Sequence, residues 1–235
     1  MSGWKAKRFW KEATVEEVEG GWTVRLDARP VKTPAKAPLV LPTRALAEAV
    51  ADEWEAQQGE VRPDTMPFTR AANSAIDKVA PQRAEVVAII AAYGDSDLLC
   101  YRATGPQELC DRQARAWDPL LDWASDALGA RLVATAGVMH IAQDQAALDR
   151  LTARVAAMTP FQVAAFHDLV ALSGSLVLAL AVVDGRIDPQ SAWELSRLDE
   201  TWQIEQWGED EEAAAAAEVR RAAFHQAARF FGLCG

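Results

Sequence analysis

The sequence predicts an α+β N-terminal domain with a small antiparallel sheet, followed by an all-α helical C-terminal domain. Three observations carry this prediction. Alternation of apolar and polar residues with period two is confined to the first third, on either side of Gly20-Gly21. Apolar residues spaced three or four apart dominate from Pro81 onward. Pro30, Pro34 and Pro38 punctuate the first third and deny it a long strand or helix between residues 30 and 38. The domains therefore divide as 1–80 and 81–235. A chain of 235 residues that is 50% hydrophobic can bury a core in one large domain or in two modest ones.

The elements follow in order. Phe9 to Val18 alternates in part, Gly20-Gly21 marks a turn, and Trp22, Val24 and Leu26 alternate again, which is a hairpin. Leu39 to Leu41 reads as a short strand. Thr43 then opens a helix to about Gln58, with Leu46, Val50 and Trp54 on one core-facing side and Gly59 as its stop. A further helix covers Pro67 to Val79, with Ala72, Ile76 and Val79 inward.

Beyond residue 80 the reading is helical. Pro81 suits the first position of a helix that reaches Tyr93. Gly105-Pro106 opens another, with Leu109, Ala116, Trp117 and Leu120 inward, which Pro119 should kink or break. Leu132 to Ala134 reads as a short extended piece. Gln143 to Met158 and Pro160 to Val183 are two helices separated at Thr159-Pro160. Asp184-Gly185 ends the second, and Asp188-Pro189 caps and starts the next. The final helix begins with Glu209 to Glu212 and carries Arg220, Arg221 and Arg229 toward its end, a polarity that suits the helix dipole. Gly232 is its expected stop.

Composition removes several function classes. A net charge of −10 argues against binding nucleic acid or an anionic membrane surface. The apolar run Leu169 to Val183 is shorter than the ~20 residues needed to span a bilayer, so it reads as a buried helix and no membrane insertion is expected. Residues 1–10 lack the apolar segment of a secretory signal and the long Ser- and Arg-rich composition of a mitochondrial presequence. The expected location is the bacterial cytoplasm, or the mitochondrial matrix for a trimmed eukaryotic chain. Cys100, Cys110 and Cys234 are unpaired by spacing and read as reduced thiols. His140, His167 and His225 are scattered, so no metal site can be argued.

Chemical motifs are sparse. Gly94-Asp95-Ser96-Asp97-Leu98 superficially resembles an esterase nucleophile block. A helical pattern rather than a strand precedes it, which favours a helix-ending turn. A small hydrolase using Ser96 or a carboxylate pair is the alternative reading of the chain. Leu172-Ser173-Gly174-Ser175 lacks nucleophile-elbow spacing, and no phosphate-cradling glycine loop occurs. His167 and Asp168 are neighbours on a helix and should diverge by ~100°, leaving His167 a satisfied, partly buried histidine. No cofactor, catalytic residue or small-molecule substrate is expected.

Two features remain. Nine tryptophans include Trp193, Trp202 and Trp207 close together. Most belong in the core, and some suit interface anchors. Asp199, Glu200, Glu205, Glu209, Asp210, Glu211 and Glu212 form an acidic segment with no basic residue until Arg220. Ile204 and Trp207 within it give the charged run an apolar anchor, as at specific protein interfaces.

Several strings in order resemble one family. Leu26-Asp27-Ala28-Arg29-Pro30-Val31-Lys32-Thr33-Pro34 comes first, followed by Met66-Pro67-Phe68-Thr69-Arg70, Asn73 and Ala75-Ile76-Asp77. Asp97-Leu98-Leu99-Cys100-Tyr101-Arg102, Gln113, Trp117-Asp118-Pro119-Leu120 and Trp123 come next. Leu195, Arg197-Leu198, Gln203, Trp207-Gly208 and Glu211 close the series. Together they resemble the ATP synthase mitochondrial assembly factor 2 family, the chaperones of the F-type ATPase α subunit. The resemblance implies a molecular chaperone for ATP synthase assembly that binds free α subunit until the β subunit displaces it. It implies neither catalysis nor a cofactor. Combined with the acidic segment, it makes Arg197, Glu200, Gln203, Ile204, Trp207 and Glu211 the candidate partner-binding residues. One departure stands out: the family's histidine after Trp207-Gly208 falls on Ala214, while Glu211 keeps the acidic position.

Overall fold

The computed structural model describes residues 7–235. They form two compact units. The first runs up to Arg83 and takes in Thr159–Ala165 and Arg229–Gly235, and the second comprises Ala84–Met158 and Phe166–Ala228.

The first unit is a three-stranded antiparallel sheet with helices. β1 (Ala13–Val18) and β2 (Gly21–Leu26) form the expected hairpin, in register from Ala13 opposite Leu26 to Val18 opposite Gly21. β3 (Arg29–Pro30) pairs on the other side of β2. Val24 and Leu26 are buried, as the alternation requires. Gly21 is fixed by space, because a Cβ there would lie 2.3 Å from the Leu41 carbonyl oxygen. Leu39–Leu41 is not a strand. It makes an isolated bridge in which Trp22 and Leu41 exchange N–H···O bonds of 2.9 and 2.7 Å. Pro38 and Pro42 bracket it and can donate nothing to a ladder.

Helix α1 (Arg44–Glu55) is capped by Thr43, whose hydroxyl accepts from the Leu46 N–H at 3.1 Å. Leu46 and Val50 are fully buried in a core shared with Leu39, Leu41, Phe68 and Phe230. Glu53 reaches from α1 to the start of α2 (Pro67–Ser74), accepting from the Phe68 and Thr69 N–H groups and the Thr69 hydroxyl, each at 2.7 Å. Burial nevertheless raises its pKa above the ordinary carboxylate value. The expected helix to Val79 changes character at Ala75, continuing as a wider π turn over Ala75–Val79.

Trp54 lies at the margin of this core, half-buried, in edge contact with Trp10 at 5.3 Å. The helix face was read correctly, but the last of its three apolar positions stops short of full burial. Trp54→Ala should cost about 2–3 kcal/mol, below the full cost of truncating a core tryptophan. A thermal melt shifted by less than a few degrees would refute the packing role.

The second unit is helical apart from two short strands. Helix α3 is Arg83–Ala91, so Pro81 sits in the preceding turn rather than at the first helical position, and a 3-10 turn over Ala92–Ser96 follows. Strand β4 (Tyr101–Arg102) pairs in parallel with β5 (Thr135–Ala136), just past the extended piece expected at Leu132 to Ala134. Helix α4 (Gln107–Leu128) passes through Pro119 without a break. Pro119 faces solvent, where water can satisfy the orphaned carbonyl, while Trp117 and Leu120 hold the helix from the buried side. The Trp117 indole N–H also donates to the Leu195 carbonyl at 3.0 Å.

Helix α5 (Gln145–Ala156) is capped by Asp144. The single helix expected over Pro160 to Val183 is two, α6 (Pro160–Ser173) and α7 (Leu176–Val183). Gly174 takes φ +71°, which ends α6, and Ser175 caps α7 by accepting from the Leu178 N–H at 3.0 Å. The glycine therefore breaks the helix in two. Helix α8 (Pro189–Ser196) starts after the Asp188 cap, as expected. Then follow α9 (Leu198–Trp207), ended by Gly208 at φ +89°, and α10 (Glu211–Leu233), capped by Asp210. Gly232 lies inside α10 rather than stopping it. Among the described residues no helix is long and apolar enough to cross a membrane.

Candidate functional site

Helix α9 organises the candidate site. Leu198 anchors its start and is 6% exposed. Asp199 accepts from the Gln113 amide at 2.7 Å, and Glu205 pairs with Arg112 at 2.6 Å, so two side chains of α4 brace the helix. These contacts leave another face free. Glu200, Gln203, Ile204 and Trp207 follow at helical spacing along it. Ile204 is 44% exposed and Trp207 79%. A tryptophan exposed to that degree costs hydration free energy in the free protein and gains it back on contact.

Arg197 sits at the junction of α8 and α9. It donates to Glu200 at 2.7 Å and stacks over the Trp193 ring at 5.8 Å. Beside it a cavity of about 400 Å³ is lined by Arg197, Asp199, Glu200 and Gln203 on one side and by Leu98 and the Ala171–Gly174 segment on the other. Glu211 stands in the first turn of α10, past the Gly208 break. Glu209, Glu211 and Glu212 join no ion pair among the described residues, and Asp210 serves as the helix cap. The structure thus brings Arg197, Glu200 and Gln203 together around one cavity. Ile204 and Trp207 continue the same helix, and Glu211 begins the next.

The floor of that cavity rests on a buried carboxylate. The helix-ending turn read at Gly94 to Leu98 is present, as the 3-10 turn over Ala92–Ser96, but that reading gave Asp97 no role of its own. Asp97 is 0% exposed. It accepts from the Ser175 hydroxyl at 2.7 Å and from the Leu99 and Val177 N–H groups at 3.0 Å each. Burial pushes its pKa up to about 6, against the opposing pull of these hydrogen bonds. The neighbouring Leu98 N–H donates to the Gly174 carbonyl at 3.1 Å, closing the floor.

The serine form of the hydrolase alternative lacks its base. Ser96 is exposed, and among the described residues no histidine hydrogen-bonds its hydroxyl. His140 instead meets Asp95 at 3.3 Å and the Tyr101 hydroxyl at 3.1 Å. His167 and Asp168 do meet, at 3.0 Å, contrary to the divergence expected of adjacent helical residues, because both side chains are exposed and free to bend toward each other. The hydrogen bond to Asp168 raises the His167 pKa against a smaller opposing effect of burial. The pair lies on an open surface and orients no nucleophile. Cys100 and Cys234 are buried, and desolvation pushes both thiols up to about 12, so neither forms a thiolate near neutrality.

Sequence reading also missed an exposed apolar segment. Val138 is 92% exposed and Met139 75%, in a stretch with neither helical nor strand periodicity to flag it.

Comparison with known proteins identifies the family. The ATP12 chaperone protein family matches residues 7–125. The chain belongs to the ATP12 chaperone family. Members of this family are chaperones and not enzymes. The chain is similar to the mitochondrial protein atp12 of Schizosaccharomyces pombe, 26% identical over 219 residues that span 88% of this chain and 75% of the relative. It resembles the crystal structure of Atp12 from Paracoccus denitrificans with a TM-score of 0.96 and 52% identity, over 99% of this chain and 100% of that one. A candidate chaperone from Agrobacterium tumefaciens matches with a TM-score of 0.91 and 46% identity, over 96% of this chain and 84% of that one. Both structures share the ATP12 arrangement of a small N-terminal sheet followed by helices.

Proposed function

We propose that this ATP12 family member acts in ATP synthase assembly, in the bacterial cytoplasm, by holding the free α subunit of the F-type ATPase catalytic head until the β subunit displaces it. The observation that carries the reading is Trp207, almost fully exposed at the end of α9 with Ile204 one turn before it and unpaired carboxylates after it. A subunit of an alternating ring exposes, when alone, a surface built for its neighbour, and such surfaces aggregate. A holder stabilises it by mass action. Release requires an interface of moderate size and partly polar character, and an apolar anchor framed by charge provides that.

Glu211 belongs to this contact. Glu211→Lys should weaken suppression of α-subunit aggregation by roughly tenfold in the concentration required, because a favourable charge becomes a repulsive one. Light scattering of purified α subunit measures this. Unchanged protection by a folded Glu211→Lys variant would remove Glu211 from the site. The broader reading is tested by co-purification from cell extract, where α subunit should come down without β. Failure to retain unassembled α subunit would overturn it.

A further inference from the structure

We propose that the cavity between α9 and the α6–α7 break is a receptor for a single basic side chain, an arginine or lysine, presented by the partner protein. The inference rests on the reading of α9 as the docking face and adds the chemistry of one subsite to it. The cavity of about 400 Å³ has the size of a side-chain or small-ligand pocket. Its wall is asymmetric in charge. Asp199 and Glu200 both line it against one cation, Arg197, which pairs with Glu200 at 2.7 Å, so the wall keeps one net negative charge, that of Asp199, one of whose oxygens accepts from Gln113.

The facing wall adds hydrogen-bond acceptors, while the first turn of α9, which carries Asp199 and Glu200, brings the positive end of its own dipole to the cavity. Ala171, Leu172 and Ser173 form the last turn of α6, a helix of 14 residues. The C-terminal turn of a helix carries carbonyl groups without intrahelical partners and the negative end of its dipole. Gln203 adds an amide oxygen that can accept a further hydrogen bond. Leu98, Ala171 and Leu172 offer apolar surface for the methylene stem of a long basic side chain. A planar guanidinium suits the combination best, because it donates to several acceptors at once.

The position fits the rest of the face. Glu200 and Gln203 lie at the cavity, and Ile204 and Trp207 extend the same helix side toward Gly208. A partner that seats an apolar patch on Trp207 would place a basic residue about two turns away, over the cavity.

The conservative variants Asp199→Asn and Glu200→Gln keep the acceptor atoms for Gln113 and Arg197 and remove only charge. Their fold can be verified by thermal melting. Two measurements settle the proposal. In the first, N-acetyl-arginine amide and its neutral isostere N-acetyl-citrulline amide are titrated into the full chain and followed by NMR shifts of the Leu172, Gly174 and Gln203 amides. The arginine compound should bind at least about fivefold tighter, and the Asp199→Asn, Glu200→Gln double variant should abolish the difference. Equal shifts with both compounds, or none with either, would overturn the pocket.

In the second, purified α subunit is the probe. The double variant should bind it about tenfold or more weaker, with a shallower salt dependence. Unchanged affinity would reject the cavity as a partner subsite. If α subunit fails to bind the wild type while the arginine compound still binds the cavity, the assembly reading falls and the pocket chemistry stands.

Discussion

Asp97→Ala should lower the stability of the second unit by about 3–5 kcal/mol, a melting shift on the order of 10 °C. The carboxylate is fully buried and accepts three hydrogen bonds, two from backbone N–H groups and one from Ser175. Alanine leaves those donors buried without partners, and it unfastens the start of α7 from the turn that carries Leu98. Asparagine is milder but not neutral, since its amide nitrogen cannot accept from the Leu99 or Val177 N–H. Differential scanning calorimetry measures both. A melting shift within two degrees for the alanine variant would show that water or backbone rearrangement replaces the carboxylate.

The same residue gives a signed pH dependence. Its pKa is raised from the ordinary value of 3.8 to about 6, so the native chain holds the proton more tightly than the unfolded one. Proton uptake therefore favours the fold. The contribution of Asp97 is complete below pH ~4 and is lost as pH rises through ~6. Other carboxylates slope the opposite way, so the test is the difference between wild type and Asp97→Asn across pH 4 to 7. That difference should narrow toward neutrality if the assignment holds, and a flat difference would contradict it.

The second large effect concerns binding. On the proposed function, Trp207→Ala should weaken α-subunit binding by about 2 kcal/mol or more, roughly thirtyfold, without moving the melting temperature. The separation follows from exposure, because a side chain 79% open to solvent contributes little to the free fold. Anisotropy titration and a thermal melt on the same preparation decide it. Unchanged affinity would discard Trp207 as the anchor, while a lowered melting temperature would show that it packs within the chain.

Much of the architecture was legible because local signals agreed with the tertiary outcome. The Trp22, Val24 and Leu26 alternation, the Thr43 and Asp188 caps and the Leu46 and Val50 spacing are all short-range features that packing reinforced. The misreadings share a cause in long-range contacts. Gly174 breaks α6 from α7 in concert with Asp97, and Ser175 and Asp97 are 78 residues apart in the chain. Pro119 stays helical because Trp117 is held by the Leu195 carbonyl, again 78 residues away. For the candidate site, the residue types were visible as an acidic run with Ile204 and Trp207. The cavity was not visible, since its two walls come from segments whose meeting no local pattern announces.

The return of residues 229–235 to the first unit has a consequence for synthesis. Phe230 packs against Phe68 with tilted rings 6.1 Å apart, and the Thr43 hydroxyl donates to the Leu233 carbonyl, across 190 positions of chain. These contacts cannot form while the ribosome is still translating the stretch after Arg83. At usual elongation rates that interval lasts on the order of 10 s. During it the nascent sheet and α1 carry an unfinished apolar surface. A protein that shields another chain's exposed surface would itself depend on shelter until its last helical turn emerges.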